Sequence, residues 1–319
     1  MKIEKHQLDP ELQRYYRPTM SIAWLISREW GIKLMRKAER FSRGKEIKGL
    51  VNDERYIPST HGGPDIRVRI YKPENASADQ PLPILLYIHG GGYVLGCPEL
   101  FGMLIERFIK ARPCIVVAPD YRKAHDAPFP AGFDDCYDTL LWARDHAAEL
   151  GARSDKFMIG GHSAGGGMTA ALTWKARDTK DVDVAFQMPI YPMIDDRHQT
   201  ESGQHMLAPL WGTPNNKLAW SLYLKGRQAT DGSVPDYAAP ARNQDYTDFP
   251  PTITFVGDLE PFRDETIAYA DALKGAGVPV KFELFTGCFH GFDGMKSAIS
   301  TRALDFTFDS FAEYYDTYL

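Results

Sequence analysis

The stretch Phe157–Trp174, FMIGGHSAGGGMTAALTW, decides how the chain folds. A short apolar run precedes one serine, a helix-forming run follows it, and five glycines surround it. Three of those glycines fall where a helix should begin, although glycine inside a helix is about 1 kcal/mol less favourable than alanine. Gly161-His162-Ser163-Ala164-Gly165 is a G-x-S-x-G pentapeptide in a strand–turn–helix setting, the setting that makes this motif a nucleophile elbow. In so sharp a turn the residues two before and two after the serine face each other, so a Cβ at either is expected to clash. The hydroxyl is then held above the sheet at the amino end of a helix, whose N–H groups favour developing negative charge. A phosphate loop would need a Gly-Lys-Ser/Thr ending, which is absent.

Outward from this turn, short apolar runs alternate with helical patterns. The runs are residues 83–90, 114–121, 156–161, 184–191, 252–258 and 280–287, and most are continuous, as strands buried on both faces should be. Between them Phe133, Cys136, Tyr137, Leu140 and Leu141 have helical spacing within 131–150. Repeated strand, crossover and strand predict an α/β fold with a mostly parallel central sheet and helices on both faces. IRVRIY (66–71) alternates strictly and predicts an antiparallel strand with one wetter face. Two regions break the rhythm: residues 1–45, with Ile22, Ile26, Trp30 and Leu34 at four-residue steps, and residues 195–240, with helix-like pieces rich in Trp, Leu and Met. An insertion over the carboxyl ends of a parallel sheet covers the ligand crevice there, so both regions are expected to form a helical lid on a single domain spanning 1–319.

With 319 residues, 44% hydrophobic and 25% charged, the chain suits a globular protein with a sizeable core. A net charge of -5 argues against a nucleic-acid partner. Cys97, Cys114, Cys136 and Cys288 show no CxxC pairing and read as reduced thiols of a cytoplasmic protein. The amino-terminal residues lack the apolar segment of a secretory signal, and the uncharged stretches around Ile84 and Ser163 are broken by glycine and polar residues, so neither reads as a membrane span.

A serine hydroxyl becomes a nucleophile only when a base takes its proton and a carboxylate orients that base. In this kind of sheet the chain order is serine, acid, histidine. His290, in FTGCFHGFDG directly after the last strand run, is the base in the required order. The acid comes from DLEPFRDE: Asp264 and Glu265 open the next helix, Glu260 is held in the loop by Pro261, and Asp258 at the strand end is its competitor. HGGGYVLG (89–96) follows the strand run ILLYI and exposes successive N–H groups of the kind that stabilise an oxyanion.

Together these pieces resemble the hormone-sensitive-lipase-like family of serine esterases, over about residues 60–300. The resemblance includes YRKAHDAPFPAGFDDCYDTLLWARDHAAELG (121–151) and FPPTITFVGDLEPFRDET before the acid. It implies the α/β-hydrolase fold, with Ser163 as nucleophile, His290 as base and Glu260 as acid. It further implies an oxyanion hole from Gly91, Gly92 and the N–H of Ala164, and His89 bracing the glycine loop. Carboxylic esters with short to medium acyl chains are the implied substrates, with no metal or organic cofactor. The chain departs from the family in Glu260, where aspartate is usual, in His162, where many relatives are acidic, and in RKAHDAP. His162 is expected to support the elbow or the lid, since adjacent residues on a sharp turn point apart.

Tyr93 and Leu95 beside the glycine loop, and Leu207 and Trp211 in the insertion, are the candidate substrate-binding residues, with Met206 and Trp220 as further candidates. Amides and lactones are alternative substrates of the same triad. A non-catalytic receptor would be expected to have lost a triad member, and none is missing. DDRH (195–198) reads as an acidic turn in the lid rather than a cation site. The strand run 280–287 is expected at a sheet edge, open to pairing with a second copy.

Overall fold

A computed structural model describes residues 1–77, 80–228 and 232–319. Residues 229–231 of the expected 195–240 insertion lie outside the described residues. The amino-terminal helices α1 (Tyr16–Ile26) and α2 (Glu29–Glu39) lead into β1 (Leu50–Ile57), β2 (Ile66–Pro73) and β3 (Leu82–Ile88). Then follow α3 (Gly102–Ala111), β4 (Ile115–Pro119), α4 (Ala131–Asp145), the short α5 (Ala147–Leu150), β5 (Ala152–His162), α6 (Ala164–Thr179) and β6 (Val184–Ile190). The insertion carries α7 (Glu201–Gln204) and α8 (Thr213–Tyr223), and β7 (Thr252–Gly257), α9 (Arg263–Gly275), β8 (Val280–Phe285) and α10 (Ala298–Tyr318) complete the chain.

Among the described residues eight strands form one sheet in the order β1-β2-β4-β3-β5-β6-β7-β8. Only the pairings of β2 with β1 and β4 are antiparallel, and the rest of the sheet is parallel. The apolar runs are continuous because the strands feed two cores. Ile84, Leu86 and Ile88 of β3 join Phe133 and Leu140 of α4 and Leu172 of α6 on one side. Leu85 and Tyr87 join Phe108 of α3 and Phe311 of α10 on the other. Phe108 meets Phe308 and Phe311 edge-on at 4.8 and 5.0 Å between ring centres, contacts worth about 0.5–1.5 kcal/mol each beyond their burial.

β2 corrects one expectation. Its charged face is not wet: Arg69 is buried, and Arg67 bonds Glu54 at 2.8 Å, Asp120 at 3.1 Å and Glu99. β8 forms an edge of the sheet, as expected. All four cysteines are free and buried. Asp195 and Asp196 of the acidic turn are each bound at 2.7 Å, to Arg197 and Arg242. Among the described residues no helix is long and apolar enough to cross a membrane.

The two irregular regions are tied together. Ile3 N–H donates to the Leu207 carbonyl at 2.9 Å and Leu210 N–H to that of Thr19 at 3.1 Å, while the Asn215 side chain donates to the Ala23 carbonyl at 2.7 Å.

Candidate active site

The carboxyl ends of β3, β5, β6, β7 and β8 lie side by side and supply every group of the site, as parallel sheets do. β5 runs straight into the elbow. Ser163 adopts φ 60° and ψ −119°, a left-handed conformation that a non-glycine residue takes only when its surroundings enforce it. They do so here: Ser163 N–H donates to the Ile190 carbonyl at 2.9 Å, and its own carbonyl accepts from Gly167 and Met193 at 2.9 and 3.0 Å. The glycine requirement follows from close backbone approach. A Cβ on Gly161 would lie 2.5 Å from the carbonyl oxygens of Gly165 and Ile88, and one on Gly165 would lie 2.0 Å from that of Ile88.

His290 arrives on the loop after β8. Asp258 holds that loop, accepting from the N–H groups of Gly287 at 2.8 Å and Cys288 at 3.3 Å. Leu259 N–H adds a bond to the Cys288 carbonyl at 3.0 Å. His290 Nε2 then stands 2.8 Å from Ser163 Oγ, and Nδ1 stands 2.5 Å from Glu260 Oε2. Glu260 is fully buried, and its other oxygen accepts from Gly257 N–H at 2.9 Å. A carboxylate facing Nδ1 sets the tautomer: the proton sits on Nδ1, and Nε2 is left to accept from the serine. Tyr191 and Phe262 wall the imidazole edge-on at 4.8 and 4.9 Å.

The glycine loop reaches the same point. Gly91 and Gly92 have φ of +125° and +60°, so only glycine fits comfortably. Their N–H groups, with that of Ala164 at the first turn of α6, bond to no backbone carbonyl among the described residues. His89 lies behind the loop. Its Nδ1 faces the Gly90 carbonyl at 2.7 Å, its Nε2 faces Lys123 Nζ at 3.0 Å, and its ring stacks on Tyr121 at 4.3 Å. Burial, with Lys123 beside it, pushes its pKa down to about 3, so it stays neutral and braces the loop.

His162 points away from the serine. Its Nδ1 faces the Tyr87 hydroxyl at 2.9 Å, while Nε2 lies 3.9 Å from Asp293. Burial and then the nearby His290 push its pKa down to about 3. Asp293 accepts from the Tyr191 hydroxyl at 2.9 Å, and burial raises its carboxyl to about 6. No local sequence pattern marks Tyr191 or Asp293 as part of the site. The position of Tyr191 at the end of β6 was the available signal, because side chains there face the crevice.

The serine opens into a cavity of about 370 Å³, lined by Ile22, Ile26 and Met35 from the amino-terminal helices and by Leu95, Leu104 and Trp211. Leu95 and Trp211 are therefore where the sequence placed them. Tyr93 and Leu207 are not. Tyr93 carries its ring into the core, stacked on Tyr223 at 4.0 Å, with its hydroxyl on the Met193 carbonyl at 2.7 Å. Leu207 is half exposed and pairs with the first residues of the chain. Met206 and Trp220 are buried in the cores instead.

Residues 85–294 match the family described as alpha/beta hydrolase fold. The chain belongs to it. Within that fold its place is the hormone-sensitive-lipase-like family. This alpha/beta hydrolase is 33% identical over 232 residues to carboxylesterase NlhH of Mycobacterium tuberculosis, covering 72% of this chain and 71% of the relative. Esterase LipI of the same organism is 30% identical over 235 residues, 73% of each chain. Among solved structures, a bacterial heroin esterase superposes with a TM-score of 0.87 at 35% identity, over 97% of this chain and 98% of the other. All three are esterases, as the expected activity requires.

Proposed function

We propose that this protein hydrolyses short- to medium-chain carboxylic esters through an acyl-enzyme on Ser163. The class of reaction is that of its esterase relatives. Ser163 attacks the ester carbonyl while His290 takes its proton, and the oxyanion settles on the N–H groups of Gly91, Gly92 and Ala164. Protonated His290 then gives its proton to the departing alcohol. Water, activated by the same imidazole, attacks the acyl-enzyme and releases the acid. Glu260 holds the ring through Nδ1 in both steps.

The observation that carries this reading is the unbroken line Ser163 Oγ, His290 and Glu260 at 2.8 and 2.5 Å, opening on one cavity with the glycine loop. A volume of about 370 Å³ is at the small end for ligand clefts and favours short acyl chains. We read the chain as one hydrolase domain whose lid joins residues 1–45 to the described parts of 195–240. The bonds between Ile3 and Leu207 and between Asn215 and Ala23 support a lid that moves as one piece. A panel of p-nitrophenyl esters from acetyl to palmitoyl tests the substrate class. The expected kcat/KM peaks among the short and medium esters. A preference for palmitoyl, or turnover of a matching anilide at the acetyl-ester rate, would contradict it.

A further inference from the structure

The amino-terminal helices have a second face that the chemistry does not use. Ile22, Ile26 and Met35 of α1 and α2 point into the cavity. Trp24, Trp30 and Leu34 of the same helices, and Phe41 in the turn just past α2, are 57%, 54%, 53% and 86% exposed. Single exposed apolar side chains are ordinary, but four large ones within eighteen residues of a cavity wall make a patch. Trp24 and Trp30 meet edge-on at 6.1 Å, and Arg28 lies over the Trp24 ring at 3.9 Å. Lys33, Lys37 and Arg40 stand exposed among them and form no ion pair among the described residues.

The charge is concentrated there. Residues 14–48 hold ten lysines and arginines against three glutamates, in a chain whose net charge is -5. Exposed Trp, Leu and Phe beside unpaired Lys and Arg is the composition of helices that lie in the headgroup plane of a membrane. Tryptophan suits the water–lipid boundary, and the cations are drawn to anionic headgroups. A second copy would bring the same cations against these, so the patch is not suited to pairing with itself. The cavity rim lies on this side as well. The segment 39–47 runs along the loop 96–102, with Gly96 N–H on Glu39 at 2.8 Å and Gly44 N–H on Glu99 at 2.9 Å. Leu100 and Met103, both cavity-lining, are 48% and 60% exposed there.

We propose that the outer face of α1 and α2, with the turn that follows α2, docks the enzyme onto an anionic lipid surface, with Trp24, Trp30, Leu34 and Phe41 in the headgroup layer and Lys33, Lys37 and Arg40 on lipid phosphates. The docking requires no catalysis, so Ser163→Ala binds like the wild type.

Co-sedimentation of the full-length protein with vesicles tests this. The vesicles are phosphatidylcholine alone, or phosphatidylcholine with about 30 mol% phosphatidylglycerol, at about 0.1 M and again at about 0.5 M salt. Binding to the anionic vesicles, weak binding to the neutral ones and release at the higher salt are expected. The combined variant Lys33→Glu, Lys37→Glu, Arg40→Glu should lose about a hundredfold in partitioning, since each cation near such a surface is worth about fivefold. Trp30→Ser with Phe41→Ser should lose about tenfold. Both should hydrolyse p-nitrophenyl acetate at the wild-type rate, showing that they are folded. Equal binding to neutral and anionic vesicles, no binding to either, or binding that survives the charge reversal would overturn the proposal. So would retention on heparin without vesicle binding, which would assign the face to an acidic macromolecule, or a solution dimer that Trp30→Ser dissociates.

Discussion

Glu260 and Asp258 stand two residues apart on one loop and face different partners. Glu260 meets the imidazole, while Asp258 holds the backbone of Gly287 and Cys288 and so places the loop that bears His290. Glu260→Gln can turn its amide toward Nδ1 and stabilise the wrong tautomer, so kcat should fall about 10⁴-fold. Asp258→Asn keeps an oxygen for both amides and should lose less than about tenfold. Steady-state rates for the two variants check this, and the reverse ranking would move the acid to Asp258. His89 and His162 give a second test. Both have native pKa values of about 3 against 6.5 for an ordinary histidine, chiefly through burial. Between those values the unfolded chain binds more protons, so each ring makes stability fall as pH drops below 6.5, by up to about 1.4 kcal/mol per unit. Asp293, raised to about 6, has the opposite sign: its contribution is present in acid and is lost as pH rises from about 4 to 6. Replacing His89 by glutamine should therefore flatten the acid limb of stability against pH by about one proton, measured by urea unfolding from about pH 4 to 6.5. Parallel curves for variant and wild type would contradict this. Ser163, His290 and Glu260 were legible because each sits in a local pattern beside a strand end. Tyr93 was misplaced because nearness in sequence does not give direction: at φ 63° its ring enters the core. Asp293 was missed because its partners, Tyr191 and His162, meet it only after folding.

At the scale of the element, close backbone approach governs the elbow and the glycine loop. A Cβ on Gly165 would strike the Ile88 carbonyl, which belongs to a central strand and cannot yield. One on Gly92 would lie 2.1 Å from the Trp211 ring, at a backbone φ of +60°. Gly165→Ala should destabilise the fold by about 3 kcal/mol and abolish esterase activity with it. Gly275→Ala, at the end of α9 with open space around it, should stabilise by about 0.5–1 kcal/mol. Urea midpoints check both, and a Gly165→Ala enzyme with wild-type stability and rate would contradict the elbow geometry. The parallel strands were legible because burial on both faces writes continuous apolar runs. β1 was not, because Asn52, Asp53, Glu54 and Arg55 carry no such run, and pairing with β2 holds them extended. The charged face of β2 reads as wet for a related reason. Its burial depends on Glu54, Glu99 and Asp120, whose arrival around Arg67 no local alternation encodes.

Across the whole molecule, strand ends that are far apart in the chain converge on one hydroxyl. β5 brings Ser163, β7 brings Glu260, β8 brings His290 and β3 brings the glycine loop, while the irregular segments close the cavity above them. A net charge of -5 conceals a basic amino-terminal face, so the bulk composition says little about which surfaces the enzyme meets. The account rests on Ser163 being the group that carries the acyl chain, and a fluorophosphonate tests that most directly. Incubated with the wild type and followed by peptide mass spectrometry, the probe should place one adduct on the peptide containing Ser163, stop ester hydrolysis in proportion, and leave Ser163→Ala unlabelled. An adduct on another residue, or hydrolysis that continues while Ser163 is fully labelled, would contradict it.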